Sequence, residues 1–141
     1  MAARSLVKTE TLRLRTDEDV VRVRQIVRVW MVEQSFSLVE QTKMVTATSE
    51  LARNTVIYGG GGSAQLELLD QSGRAGLSVT FEDQGPGIAD VDLAMQDGFT
   101  TSNGLGLGLG GAKRLVSEFE IWSELGKGTR VSITLWKLNY P

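Results

Sequence analysis

Five glycines fall within residues 104–111 (GLGLGLGG), and the chain then runs directly into a helix-like segment, AKRLVSEF. Glycine inside a regular element costs backbone entropy, roughly 0.5–1 kcal/mol each relative to alanine. A run this dense is therefore either linker or backbone that something must approach closely. Flexible linkers interleave glycine with serine, whereas the interleaved residues here are Leu105, Leu107 and Leu109. The run is read as a structured loop that opens a helix. Its unpaired N–H groups and the positive end of the helix dipole suit a phosphate. Thr100, Thr101, Ser102 and Asn103 place side-chain donors just ahead of it.

Two familiar patterns run through the glycines, and context removes both. Gly106, Gly108 and Gly111 satisfy G-x-G-x-x-G, with Glu124 near the separation expected of a ribose-binding acid. That fingerprint requires a strand just before its first glycine, and the loop-like QDGFTTSN stands there instead. Gly126-Lys127-Gly128-Thr129 has the end of a phosphate-binding P-loop, but the position that must be its first glycine is Ile121. GKGT is read as a hairpin turn.

Hydrophobic period assigns the other elements. Residues 9–15 alternate weakly and form a first strand, and Thr16 with Asp19 three positions on is a capping signal. Val20, Val23, Ile26, Val27 and Trp30 then fall on one arc at the helical period, so residues 17–34 are read as helix despite their β-branched composition. Residues 37–58 carry Leu38, Val45, Leu51 and Val56 at helical spacing, and the four glycines 59–62 stop them. Residues 64–70 and 76–83 read as a hairpin around QSGRAG. After Gly85-Pro86-Gly87 comes a polar, irregular stretch, 88–103, with a short helix near 91–95. A helix over 107–119 and strands over 120–124 and 129–137 complete the chain. The order β-α-α-β-β-loop-α-β-β predicts an α/β (α+β) two-layer sandwich in one domain over 1–141, its mixed, mostly antiparallel sheet covered by helices on one face.

Composition excludes several kinds of chemistry. The chain has no cysteine and no histidine, which removes disulfides, thiolate nucleophiles, Ser-His-Asp triads, histidine-based zinc sites and a phosphohistidine on this chain. A net charge of −2 argues against nucleic acid as the main partner. No apolar run is long enough for a membrane helix and the start lacks a signal-peptide core, so no membrane association and a cytoplasmic setting are expected.

Two further motifs carry possible chemistry. Glu50 and Asn54, four apart, share a helix face, where a carboxylate can take a proton and an amide oxygen can bind a hard cation. By itself the pair is a weak signal, and a solvated helix face is its more common meaning. Asp83-Gln84-Gly85-Pro86-Gly87 ends an apolar strand, where an aspartate can accept a hydrogen bond from a purine amino group and glycines let backbone pass close to a ring. By itself it is equally a strand-ending turn.

The order of the motifs is more specific than any one of them. E-x-x-x-N on a helix, D-x-G-x-G after a strand, a variable loop, G-x-G-L-G-L opening a helix and G-x-G-T in a hairpin resemble the GHKL (Bergerat-fold) ATPase and kinase superfamily. The resemblance runs from about residue 40 to 136. It implies ATP and Mg²⁺ as cofactors, with Glu50 as general base and Asn54 as Mg²⁺ ligand. It implies Asp83 as adenine-amino acceptor, and Gly85 and Gly87 as lining of the base pocket. Thr101, Ser102, Gly104, Leu105, Gly106, Leu107 and Gly108 would form the phosphate-contacting box, and Thr129 would support the adenine site. Residues 88–103 would be a short lid, and Arg53 and Lys113 either assist the phosphates or are surface cations. Length and the missing histidine narrow the resemblance to the partner-switching serine/threonine kinases of bacterial stressosomes. Anti-sigma relatives usually carry a histidine shortly after the asparagine, where this chain has Tyr58. The implied activity is phosphorylation of STAS-domain partners and, on release from them, activation of a PP2C-type phosphatase. The alternative is an anti-sigma factor that sequesters a sigma subunit in a nucleotide-dependent way.

Overall fold

The computed structural model describes residues 3–96 and 108–138. Its first strand, β1 (Ser5–Leu14), leads into α1 (Asp17–Glu33) through Thr16. The Thr16 hydroxyl accepts from the Asp19 N–H at 3.1 Å, and the Asp19 carboxylate accepts from the Thr16 and Arg15 N–H groups at 3.2 and 2.9 Å. This reciprocal box satisfies donors that every helix start leaves open. It explains why a segment rich in valine begins a helix at that point. Val20, Val23, Val27 and Trp30 are buried along one stripe, as the period requires, with Ile26 half-buried beside them.

The second helix, α2 (Leu38–Ile57), starts the same way. Ser37 Oγ accepts from the Glu40 N–H at 3.1 Å, and Glu40 Oε1 accepts from the Ser37 N–H at 2.7 Å. The other Glu40 oxygen accepts from the Leu138 N–H at 2.7 Å, so one side chain fastens the helix start to the exit of the last strand. Tyr58 caps the far end, and Gly60 and Gly61 turn the chain at φ +74° and +103°.

The hairpin β2 (Gly62–Gln71) and β3 (Arg74–Asp83) is tighter than the sequence predicts. Only Ser72 and Gly73 lie outside it, at φ 54° and 82°. Positive φ at both turn residues gives the twist that matches antiparallel strands. A four-residue helix, α3 (Val91–Ala94), is capped by Asp90. Then come α4 (Gly108–Arg114), β4 (Glu118–Glu124) and β5 (Gly128–Trp136).

The strands lie in the order β1-β2-β3-β5-β4. All four pairings are antiparallel, which corrects the expected mixed sheet. A second correction concerns residues 115–119. Leu115, Val116 and Phe119 extend the helical pattern, but α4 ends at Arg114, where Gly110 and Gly111 leave little intrinsic helix preference. The ladder to β5 takes over at once: the Ser117 N–H bonds to the Thr134 carbonyl at 2.9 Å, and the strand runs from Glu118 rather than 120.

One face of the sheet is apolar and packs under the helices. Leu66, Leu77, Val79, Phe81 and Ile133 are buried there against Met44, Ala47, Leu51 and the α1 stripe. The opposite face is polar. Thr80 meets the Ser132 hydroxyl and Thr134 donates to Ser78 Oγ at 3.1 Å. At one end of this face the Trp136 ring lies over Gly76, with the Arg4 guanidinium 5.1 Å from the ring centroid.

Candidate active site

A cleft of about 540 Å³ opens beside the end of β3, between α2, the 86–94 segment and the start of α4. Its floor is apolar, with Leu51, Phe81, Ile88, Ala94, Leu109 and Val131 among the lining side chains. A flat aromatic ring can be buried against such a surface at about 25 cal/mol per Å² of apolar area removed from water.

Along the first wall, α2 presents Glu50, Arg53 and Asn54 to the cleft. The Glu50 side chain is 13% exposed, and its Oε1 accepts from the Gly108 N–H at 3.0 Å. Oε2 lies 3.9 Å from Arg53 Nη1, whose side chain is 52% exposed, a weak pairing. The carboxylate thus touches the first residue of α4, and the helix motif meets the glycine run at Gly108 although 58 positions separate the two residues in the chain.

The opposite wall is the end of β3. Asp83 is 9% exposed, and its Oδ1 accepts from the Gly85 N–H at 2.9 Å. Three glycine backbones pack around this strand end. A Cβ on Gly62 would overlap the Glu82 carbonyl, one on Gly128 would overlap the Asp83 carbonyl, and one on Gly59 would overlap the Asp83 side chain. Thr129 stands opposite Asp83 in the β3–β5 register, and its hydroxyl is 2.8 Å from Ser123 Oγ. Ser123 Oγ also accepts from the Ile88 N–H at 2.8 Å and lies 3.1 Å from the Gly128 carbonyl it can donate to. This one hydroxyl ties the 86–88 loop to the β4–β5 hairpin.

Of the expected site residues, Glu50, Asn54, Asp83, Gly87, Gly108 and Thr129 line this one cleft. Gly85 does not line it; it sits behind Asp83 and orients the carboxylate through its N–H. Gly87, at φ +77°, packs against the Glu124 carbonyl and fixes the course of the loop. Lys113 lies in the exposed last turn of α4, away from the cleft lining, while Arg53 is part of it. Thr101, Ser102, Gly104, Leu105, Gly106 and Leu107 lie outside the described residues, as does the lid beyond residue 96.

Three contributors escape a reading of the sequence alone: Gly59, Gly128 and Ser123. Their reasons are contacts with segments distant in the chain, which local patterns do not contain. The usable signal was the count of four glycines at 59–62, more than a helix stop requires.

The donor set fits a nucleotide and a hard cation. Among the described residues, no cluster of three or more acidic side chains could hold a metal. Magnesium does not demand one, since it commonly keeps its waters and takes one or two protein oxygens together with substrate phosphates. The Asn54 amide, one turn from Glu50 in the cleft, supplies such an oxygen.

Comparison with known proteins gives the family of the chain. Residues 39–139 match the family described as histidine kinase-, DNA gyrase B- and HSP90-like ATPase. The chain is 45% identical over 125 residues to the serine/threonine-protein kinase RsbT of Bacillus subtilis, covering 89% of this chain and 94% of that one. It is 33% identical over 100 residues to an anti-sigma F factor of Clostridium kluyveri, covering 67% and 70%. Among solved structures, the RsbU and RsbW domains of Rv1364c from Mycobacterium tuberculosis superpose with a TM-score of 0.63 at 25% identity. That match takes in 96% of this chain but only 34% of the larger one. The chain is thus an RsbT-like member of the histidine kinase-, gyrase B- and HSP90-like ATPase family.

Proposed function

We propose that this chain is a cytoplasmic, ATP-dependent serine/threonine protein kinase that also works as a partner switch. The observation that carries the reading is the convergence of Glu50, Asn54 and Asp83 on one cleft, in a chain 45% identical to a kinase of that specificity. In this reading Asp83 accepts the adenine amino group, Asn54 holds Mg²⁺, and the 104–108 backbone cradles the phosphates. The bound cation supplies neutralisation of charge on the transferring group.

The protein's own residues do the rest. The apolar floor excludes water from the base end. Glu50 faces the cleft at the phosphate end, where its carboxylate orients the acceptor hydroxyl and takes its proton. To do so it must exchange the Gly108 N–H for the incoming hydroxyl. The Gly108 N–H released by this exchange is then free to stabilise negative charge on the transferring group.

The substrates are serine or threonine residues on STAS-domain proteins, and the released kinase engages a PP2C-type phosphatase. What supports this second step is the likeness to RsbT and to a structure that carries RsbU and RsbW domains together. A second reading, nucleotide-dependent sequestration of a sigma subunit, is favoured by the similarity to anti-sigma F factors. Incubation with γ-labelled ATP and candidate partners separates the two. Acid-stable phosphate on a STAS protein, lost in Glu50→Gln, is the expected result. Tight sigma binding without STAS phosphorylation would favour the second reading, and acid-labile phosphate on a partner histidine would overturn both.

A further inference from the structure

Gly59 was legible only as part of a helix stop, yet its backbone does not need to be glycine. Gly60 and Gly61 next to it hold φ +74° and +103°, in the left-handed region, and Gly59 does not. What it lacks is space. A Cβ at 59 would stand 2.5 Å from Asp83 Oδ2 and 2.6 Å from Asp83 Cβ. Behind it, a Cβ on Gly85 would stand 2.8 Å from both the Gly59 Cα and carbonyl oxygen. The exit of α2 and the 83–85 turn are therefore in backbone contact, and the carboxylate is seated between them.

The two oxygens of that carboxylate have different duties. Oδ1 is committed to the Gly85 N–H at 2.9 Å. Oδ2 accepts from no protein donor among the described residues, and it is the oxygen lying against Gly59. Both Gly59 and Asp83 border the cleft.

We infer that Gly59 is the positioning residue of the base site: its missing side chain seats Asp83 Oδ2 where a six-amino purine is told apart from a six-oxo purine. This rests on the reading of Asp83 as the base acceptor. A methyl group at 59 turns the carboxylate away from the cleft or splits the backbone contact behind it. Either change removes the same hydrogen bond without touching Glu50 or Asn54.

The test compares ATP with inosine triphosphate, which has a carbonyl in place of the amino group, on the full chain. Wild type should prefer ATP by roughly 10- to 100-fold, the worth of one hydrogen bond to a charged acceptor. Gly59→Ala should bring that ratio close to unity, with the loss falling on the KM for ATP rather than on kcat. Asp83→Asn is the companion. If it leaves the preference intact, the Asp83 reading fails and the Gly59 inference with it. If it abolishes the preference while Gly59→Ala keeps it, only the Gly59 inference is overturned.

A double-mutant cycle covers the case in which Gly59→Ala folds poorly. In an Asp83→Gly background both the carboxylate and the Cβ that obstruct position 59 are gone, so Gly59→Ala should lower the melting temperature by much less than it does in wild type. Equal losses in both backgrounds overturn the inference.

Discussion

The two ends of the cleft are built differently. At the base end, Asp83 stands on a central strand, hydrogen-bonded along both neighbours, with glycine backbones against its strand end and its side chain. At the other end, Glu50 reaches a seven-residue helix through one hydrogen bond to Gly108 and faces an exposed arginine. In the proposed function, recognition of the base would thus be carried by the sheet, and the reactive carboxylate by a junction between α2 and α4 that one hydrogen bond bridges. Such a site would keep its selectivity while the reactive end rearranges, because releasing the Gly108 N–H from the Glu50 carboxylate leaves the β3 ladder untouched.

The sharpest way to break the contrast is at the reactive end. Glu50→Gln is expected to slow phosphotransfer by about 10³-fold, within the range of general-base removals, while leaving nucleotide binding in place. Single-turnover transfer of labelled phosphate set against equilibrium nucleotide binding measures both. A parallel loss of binding would mean that Glu50 holds the site together instead of acting in the reaction.

At the base end the expected cost is in folding. Gly128 sits at φ +117° with the Asp83 carbonyl where a Cβ would go. Gly128→Ala should therefore destabilise the fold by about 2–4 kcal/mol, from backbone strain plus overpacking. Urea unfolding reads this directly, and a loss below half a kilocalorie would show that the strand end is softer than its packing implies.

A smaller effect follows from Glu40. Burial raises its pKa, but the Leu138 and Ser37 N–H groups that it accepts from outweigh that and hold it below the ordinary carboxylate value. Folded Glu40 therefore gives up its proton more readily than the unfolded chain does. Its stabilisation is complete above the ordinary carboxylate range and disappears as pH falls through the folded value. Glu40→Ala should cost about 1 kcal/mol at neutral pH, the worth of a lost cap, and less in acid. Denaturation midpoints at neutral and acid pH measure the difference. The smallest change is expected for Arg53→Ala: its exposed 3.9 Å pairing with Glu50 should contribute no more than about 0.5 kcal/mol to stability. A larger loss in nucleotide affinity than in stability would place Arg53 on the phosphates.

Most of the fold could be read from local pattern. Thr16 and Asp19 announced α1, and Ser37 with the glycines after Tyr58 bracketed α2. The misreading of residues 115–119 has a physical source: Leu115, Val116 and Phe119 suit a helix face, and only pairing with β5, a long-range term, makes Glu118 a strand residue. At the site, Glu50, Asn54 and Asp83 were visible as residue types in sequence order, and their meeting in one cleft was an inference from that order. The duties of Gly59 and Ser123 were hidden, because the groups that require them lie 24 and 35 positions away, at Asp83 and Ile88.

Glu40 has one more consequence. The carboxylate that opens α2 also grips the stretch after β5, so a single protonation loosens the first turn of one element and the exit of another together. Amide protons of Ser37, Glu40 and Leu138 should therefore exchange with solvent as one group, with one opening free energy. The helix that carries Glu50 and Asn54 would then register events at the far edge of the molecule, without any change of shape in the sheet between them.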